Sequence, residues 1–561
     1  MKLTPLAAAV ILTTASLPVF AASYTVTEIP VQDKSQNHFA VSIDNSGLAL
    51  VTLQNQYNPP IDYRLIDVDN SFFSAALSDP DAVRNQDPNL EDYSFLVNYV
   101  RTGSSNFSVL TQQLAEFLAY SYDGNEANYV FAFDEETSDL DGFSFSMETT
   151  VRDSVAGTHI VGNTEGPSQI VEYVNDNGDE IQFVISEFDR RAFVQVGDQV
   201  TPLMPVDDTL GGVSTINSIN ENFEVAGSSS VSATSALTTA LENCEDEEIR
   251  GDQPVEACRQ RILTIASGTS TARRSGLWVE RATIWTLDVE GNVVDTNSYD
   301  TLITDEEDPF NAGTSQAIDI NANGVGVGVS SIKFGDSEFL TTTAVSFNNG
   351  EITRLIEDDD LLPNSALNIN DNGYIAGVRS ERINNIARSR LFVLDSTNND
   401  ITFVDGFFSS SSTIPRAMNN QNIIVGVGDS TVLTSSNERP TAGFIYDIEA
   451  DSFSNLNNLV ACDSEYNIIE ANDINDEGVI LASAVVQRPA RNILGELVQD
   501  DDGNEVLVDT VIAVQLNPTG QEPDTCTDDE LGVLERQGAS TGFYLVGTVF
   551  VMALFRRFRK K

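Results

Sequence analysis

Residues 317–328 read AIDINANGVGVG, and residues 366–377 read ALNINDNGYIAG. This repetition constrains the fold more than any other feature. Each copy must build the same small unit, and a unit that small has to bury one face against its neighbours. ANDINDEGVILA at 471–482 and AVSIDNSGLALV at 40–51 are further clear copies. INSINENFEVAG at 216–227 keeps the pattern with Phe223 in place of glycine. AMNNQNIIVGVG at 417–428 is degenerate, and DSVAGTHIVG at 153–162 is the weakest. Copies starting at 317, 366, 417 and 471 are spaced by 49, 51 and 54 residues.

The shared form is Ala-x-Asp/Asn-Ile-Asn-x-x-Gly-x-Val-x-Gly. Its Asn and Gly residues supply a turn, with glycine taking positive φ at no steric cost. Asparagine side chains in such turns bond to local backbone. The apolar residues on either side alternate, as in the two strands of a hairpin. A second element follows each copy: an apolar strand, a polar turn and another strand. It reads RAFVQVGDQVTPL at 191–203, RATIWTLDVEGNVV at 281–294 and TAVSFNNGEITRL at 343–355. It recurs as RLFVLDSTNNDITFV at 390–404 and AGFIYDIEADSFSNL at 442–456. YRLIDVD at 63–69 and IAVQLNP at 512–518 complete a set of seven.

Two hairpins per repeat give four strands in about fifty residues, the size of a propeller blade. The expected fold is therefore all-β: a β-propeller of seven four-stranded blades spanning residues 23–520. The strand YTVTEI at 24–29 is placed to join the last blade and close the ring. A β-solenoid or a sandwich array is the alternative.

The pairing of A-x-x-IN-x-x-G-x-x-x-G with Ala-Phe strands resembles the HAF-repeat proteins, and the chain as a whole looks like secreted bacterial proteins built from such repeats. The resemblance covers most of residues 24–520. It implies export and a propeller-like fold. This chain has Ala-Phe, Ala-Thr or Ala-Val where the motif has His-Ala-Phe, so no histidine role is carried over, and no catalytic residue comes with it.

Two stretches interrupt the rhythm, at about 71–125 and 228–280. In the first, Val109, Leu110, Leu114, Phe117 and Leu118 fit one face of a helix over 107–120, packed on the first blade. The second begins rich in Ser and Thr and contains Cys244 and Cys258. Insertions in repeat proteins tend to emerge on one face, often the one used for binding.

The ends of the chain suggest an address. Residues 1–22 have the basic start, apolar centre and small-residue exit of a secretory signal peptide. After an acidic linker at 521–536, residues 537–555 are uncharged and long enough to cross a bilayer, and RRFRKK follows. That basic end would stay cytoplasmic, with the bulk of the chain outside. The tail at 537–561 resembles three-part C-terminal sorting signals of Gram-negative bacteria, although GAST at 538–541 departs from a Gly-Gly-Ser motif. The expectation is an exported protein on the periplasmic face, at the outer surface or released, with a C-terminal anchor or transient tether and a sorting protease as one partner.

With 85 acidic against 30 basic residues, the formal charge is −55. Such a surface repels nucleic acid and suits solubility in salt water. Four cysteines in an oxidising compartment suggest disulfides, read here as Cys244–Cys258 and Cys462–Cys526 among three connectivities. A zinc site fits poorly, with no CxxC and only His38 and His159 available. There is no GxSxG, no HExxH and no phosphate-cradling glycine loop. Calcium is the one cofactor with candidate ligands: Asp500, Asp502 and Glu505 in DDDGNE, and Asp176 and Asp179 in NDNGDE. Neither loop has the full EF-hand spacing, and acidic hairpin turns account for both.

Two readings of function remain. The first is a non-enzymatic propeller binding an envelope or extracellular ligand. The alternative is an extracellular polymer-degrading hydrolase or lyase, which a close acidic pair with raised pKa at the ring centre would favour.

Overall fold

The computed structural model describes residues 24–30, 34–105, 108–134, 136–137, 142–143, 147–267, 276–304, 311–335, 339–357, 362–432 and 439–521. Seven antiparallel four-stranded sheets, blades I to VII, follow one another along the chain. Their inner strands are Ser35–Ile43, Thr149–Val155, Ser214–Ile219, Ser315–Ile320, Asn364–Ile369, Thr413–Met418 and Asn467–Ile474. Blade VII takes its outer strand from the start of the described chain. Tyr24–Glu28 runs antiparallel to Leu507–Pro518, with Tyr24 opposite Pro518 and Glu28 opposite Val514. The chain is a seven-bladed β-propeller, and the strand expected at 24–29 closes it.

The repeat motif encodes the inner hairpin of each blade. In every blade the inner strand carries a bulge, for example between Ala317 and Asp319 and between Ala366 and Asn368. The bulge brings the inner strand's backbone onto the motif's last glycine. A Cβ on Gly328 would lie 2.0 Å from the Gln316 carbonyl oxygen, and one on Gly377 2.2 Å from that of Ser365. The Phe of the second element fills the same place from the next strand: the rings of Phe193, Phe392 and Phe444 lie against Gly162, Gly377 and Gly426. These rings are fully buried between blades.

The motif's second Asn does two things at once. Asn419 Oδ1 accepts the N–H groups of Gln421 and Ile423 in its own turn, at 3.1 and 3.0 Å. Its Nδ2 donates to the Asn475 carbonyl of the next blade at 3.0 Å. The same link runs from Asn220 to Asn321, Asn321 to Asn370, Asn370 to Asn419, and Asn475 to Asp44. This asparagine ladder ties blades III, IV, V, VI, VII and I in sequence. Blade I carries Asp44 instead, because blade II offers an N–H rather than a carbonyl: Asp44 Oδ2 accepts from Gly157 at 2.6 Å. At the remaining junction His159 stacks on Phe223, with ring centroids 4.3 Å apart.

Insertions leave the ring between the second and third strands of a blade, which puts them on one face, opposite the Asn-Gly turns. Blade I inserts residues 57–116, blade II a hairpin of Ser168–Val174 and Glu180–Ser186, blade III residues 234–277, and blade VII residues 490–506. Val109, Phe183, Ile185 and Ala257 form one apolar cluster shared by the first three. The Asn58 N–H donates to the Ile493 carbonyl at 2.7 Å, joining blades VII and I. The result is a continuous crown over one side of the ring.

Three sequence expectations fail here. The blade VI copy sits at 415–426 rather than 417–428, since its bulge falls between Pro415 and Ala417 and Gly426 meets the Ile414 carbonyl. The helix of blade I is Leu90–Ser105, not 107–120; Phe117–Tyr122 is the third strand of the blade. That strand is apolar on both faces because it lies between two cores, with Leu118 and Tyr120 in one and Ala119 in the other. A strand buried on both sides loses the two-residue alternation that separates it from a helix. YRLIDVD belongs to the insertion, as a 3-10 turn at Tyr63–Leu65 with Ile66 and Val68 buried in the helical cluster. Cys244 and Cys258 form a disulfide, pinning Ser235–Glu245 to Val255–Ser267. Cys462 is also disulfide-bonded. Cys526, the linker and both terminal segments lie outside the described residues. Among the described residues, no helix is long and apolar enough to cross a membrane.

Candidate functional site: the central channel

The seven inner strands enclose a channel of about 860 Å³, lined by residues from every blade. Because each strand bulges at the same place, two residue positions per blade define the wall. The bulged residue lines the channel: Val41, Arg152, Asn217, Ile318, Leu367, Arg416 and Asn472. The next residue turns sideways toward the neighbouring blade: Ser42, Asp153, Ser218, Asp319, Asn368, Ala417 and Asp473.

The three aspartates of this second ring act as staples. Asp153 Oδ1 accepts from the Ser154 N–H at 2.8 Å and the Ser42 hydroxyl at 2.9 Å; its Oδ2 accepts from the Ile219 N–H at 2.9 Å. Asp319 repeats the pattern with the Ile320 N–H, the Ser218 hydroxyl and the Ile369 N–H at 2.8, 2.7 and 2.8 Å. Asp473 takes the N–H groups of Ile474 and Ile43 at 2.8 and 2.7 Å. Each carboxylate thus holds its own strand and that of the following blade.

Holding these carboxyls in the wall is costly when they are charged. Burial, and then the nearby charge of Asp473, pushes Asp153 up to about 7. Burial pushes Asp319 up to about 6, and Asp473 is also raised by burial. The folded state therefore holds protons that the unfolded chain releases above its ordinary carboxyl pKa of 3.8. Stability from these groups is full below that value and is lost as pH rises toward 7. For Asp153 the loss is on the order of 4 kcal/mol. We expect urea unfolding midpoints to fall from pH 4 to pH 7. Asp153→Asn should lower stability at pH 4, where one backbone N–H loses its acceptor, but flatten the pH slope. A wild-type slope in the variant would contradict this assignment.

None of these channel groups was singled out from sequence. Asp319 and Asp473 were visible as the Asp of the Asp/Asn-Ile-Asn motif, but their bonds to the next blade depend on ring closure. The residues that were singled out lie elsewhere. Asp500, Asp502 and Glu505 sit at the tip of the blade VII insertion, where Asp500 Oδ1 accepts the N–H groups of Asp502 and Asn504, both at 2.9 Å. Asp176 and Asp179 sit at the tip of the blade II hairpin, whose turn is organised by Asn175. The structure does not bring the two loops together, and among the described residues no three His, Cys, Asp or Glu side chains are arranged to hold a metal. His38 and His159 are buried away from the channel, with the pKa of His38 lowered by burial to about 4.

Ring, closure and channel define the class: a seven-bladed β-propeller with a crowned central channel. Within it, the chain belongs to the family described as "Protein of unknown function (DUF3466)", whose family model matches residues 1–558. Solved structures similar to the chain at low identity include the following three. The β-propeller domain of the Trilobed protease from Pyrococcus furiosus is 8% identical, covering 84% of this chain and 94% of that chain, with a TM-score of 0.36. A putative TolB from Agrobacterium tumefaciens is 9% identical, covering 64% and 99%, with a TM-score of 0.27. TolB from Acinetobacter baumannii is 8% identical, covering 67% and 80%, with a TM-score of 0.26. No curated protein matches the chain.

Proposed function

We propose that this protein is an exported, non-enzymatic propeller that binds an extracellular or envelope ligand at its crowned face and channel. Export is supported by the signal-like residues 1–22 and the Cys244–Cys258 disulfide. The uncharged stretch at 537–555 with its basic end supports a C-terminal tether or sorting tail. The observation that carries the binding reading is the state of the channel aspartates. Asp153 and Asp319 have the raised pKa a general acid needs, which is what favours the hydrolase or lyase alternative. Yet both oxygens of each already accept backbone N–H groups that join two blades. A carboxyl that holds the ring together is poorly placed to move protons during turnover.

The test is to incubate the mature chain with an array of bacterial and algal polysaccharides and envelope fragments, measuring both retention and polymer length. Saturable retention without shortening is expected. Multiple-turnover cleavage that disappears in Asp153→Asn would establish the enzymatic alternative.

A further inference from the structure

A second cavity, of about 350 Å³, lies on the rim of the ring between the outer strands of blades II and III. Its lining is mostly apolar: Pro202, Met204, Pro205, Val206 and Val293, with Trp285 from the third strand of blade III. Met204, Val206 and Val293 are exposed side by side, and Arg191 Nη1 holds the methionine by donating to its Sδ at 3.3 Å. Trp285 is fully buried, and its indole N–H has no acceptor among the described residues. A buried tryptophan usually finds a partner for that donor, because leaving it unmade is costly. Tyr446, at the same place in blade VI, does find one: its hydroxyl donates to Asp451 at 2.9 Å.

The strand beside the cavity is also open. Val293–Tyr299 ends the blade III sheet, so one of its edges is unpaired. It is seven residues long, where the other six outer strands have three to five. Residues 293–298 are exposed. Sheet edges are protected by being short or by carrying lysine or proline. The outer strand of blade II has Pro202, whereas Val293–Tyr299 has neither residue. Thr296 lies directly opposite Trp285. A strand added at this edge would therefore turn alternate side chains toward the cavity.

Charge selects the partner. Residues 198–208 and 288–300, which flank the cavity, hold seven acidic residues and no Lys, Arg or His. Seven in these 24 positions is close to twice the chain's 85 in 561. Asp300 is paired with Arg281, but Asp198, Asp208, Glu290 and Asp295 are exposed and form no ion pair among the described residues.

We propose that this rim groove docks an extended, basic peptide segment of a partner protein, its backbone pairing with the free edge of Val293–Tyr299 and an apolar side chain entering the cavity beside Trp285. Lysine or arginine residues on either side of that anchor meet the acidic rim. The site is separate from the channel and goes beyond the reading given above.

The experiment uses three blocked, dye-labelled hexapeptides: lysine alternating with leucine, lysine alternating with serine, and glutamate alternating with leucine. Binding to the full chain is followed by fluorescence anisotropy at about 0.15 M ionic strength, where exposed charges are largely screened. The lysine–leucine peptide should bind saturably, and the other two at least tenfold more weakly. Thr296→Arg puts bulk and the wrong charge at the cavity and should cost that peptide tenfold or more in affinity. Val206→Lys, on the opposite wall, should do the same and decides if Thr296→Arg does not fold. Ile401→Arg, on the outer strand of blade V, should leave affinity unchanged. Trp278 and Trp285 are the only tryptophans, so in Trp278→Phe the emission reports the cavity and should shift when the lysine–leucine peptide binds. If Trp278→Phe does not fold, anisotropy decides. The proposal is overturned if the lysine–leucine peptide binds no tighter than the lysine–serine one, if the cavity variants bind as the parent does, or if Trp285 emission does not respond.

Discussion

Removing residues 24–29 should cost on the order of 5 kcal/mol of stability and make the protein prone to associate. This segment is the outer strand of blade VII, paired residue by residue from Tyr24 to Glu28. Tyr24 is buried against Leu456 and Leu459, and its N–H donates to the Leu459 carbonyl at 2.8 Å. Ile29 is only 1% exposed, lies in the core between blades VII and I, and donates its N–H to the Ala513 carbonyl at 3.0 Å. Glu28 pairs with Arg488 and accepts from the Tyr466 hydroxyl. Its loss leaves Leu507–Pro518 as an unpaired edge, the kind that recruits other strands. A whole domain is stable by only about 5–15 kcal/mol, so the change should be plain in thermal unfolding and size-exclusion profiles. A truncated chain that melts with the parent would mean the ring does not depend on this strand.

Asn419→Asp is the second large effect. The substitution changes one side-chain nitrogen to oxygen. In the parent that nitrogen donates to the buried Asn475 carbonyl, while Oδ1 holds two N–H groups of its own turn. The aspartate keeps the turn but sets an oxygen against a carbonyl oxygen in a buried seam. The carboxylate must be buried without a partner at that oxygen, or protonate. A loss of about 3–5 kcal/mol is expected. Urea unfolding should show a lower midpoint with an unchanged slope.

Most of the ring was legible in the sequence because a blade is a local object. The Asn-Gly turns, the alternating strands and the following Ala-Phe hairpins lie within about fifty residues of one another, and the free strand at 24–29 fits the closure a ring needs. Legibility failed where burial was two-sided. Phe117–Tyr122 has apolar residues at helical and strand spacing alike, and only the neighbouring blades decide between them. It failed again where a side chain bonds across a junction. Asn370 reads as a turn residue, and it is one, since its Oδ1 accepts from Tyr374. That its Nδ2 reaches the Asn419 carbonyl, 49 residues on, follows only from seating blade V beside blade VI. The channel was invisible for the same reason: its wall is assembled from seven strands that meet only when the ring closes.

The residue at six of the seven junctions is matched to the group the next blade presents. Asp44 tests it most directly, because blade I faces an N–H where the other links face a carbonyl. Its Oδ1 accepts from the Ser46 and Leu48 N–H groups, and its Oδ2 from Gly157. The measurement is urea unfolding of Asp44→Asn, which installs the asparagine used at five other junctions. A loss of about 1 kcal/mol is expected, because an amide NH2 would meet the Gly157 N–H and leave that part-buried donor without its acceptor. Stability equal to or above the parent would contradict it and reduce the asparagine ladder to a set of turns.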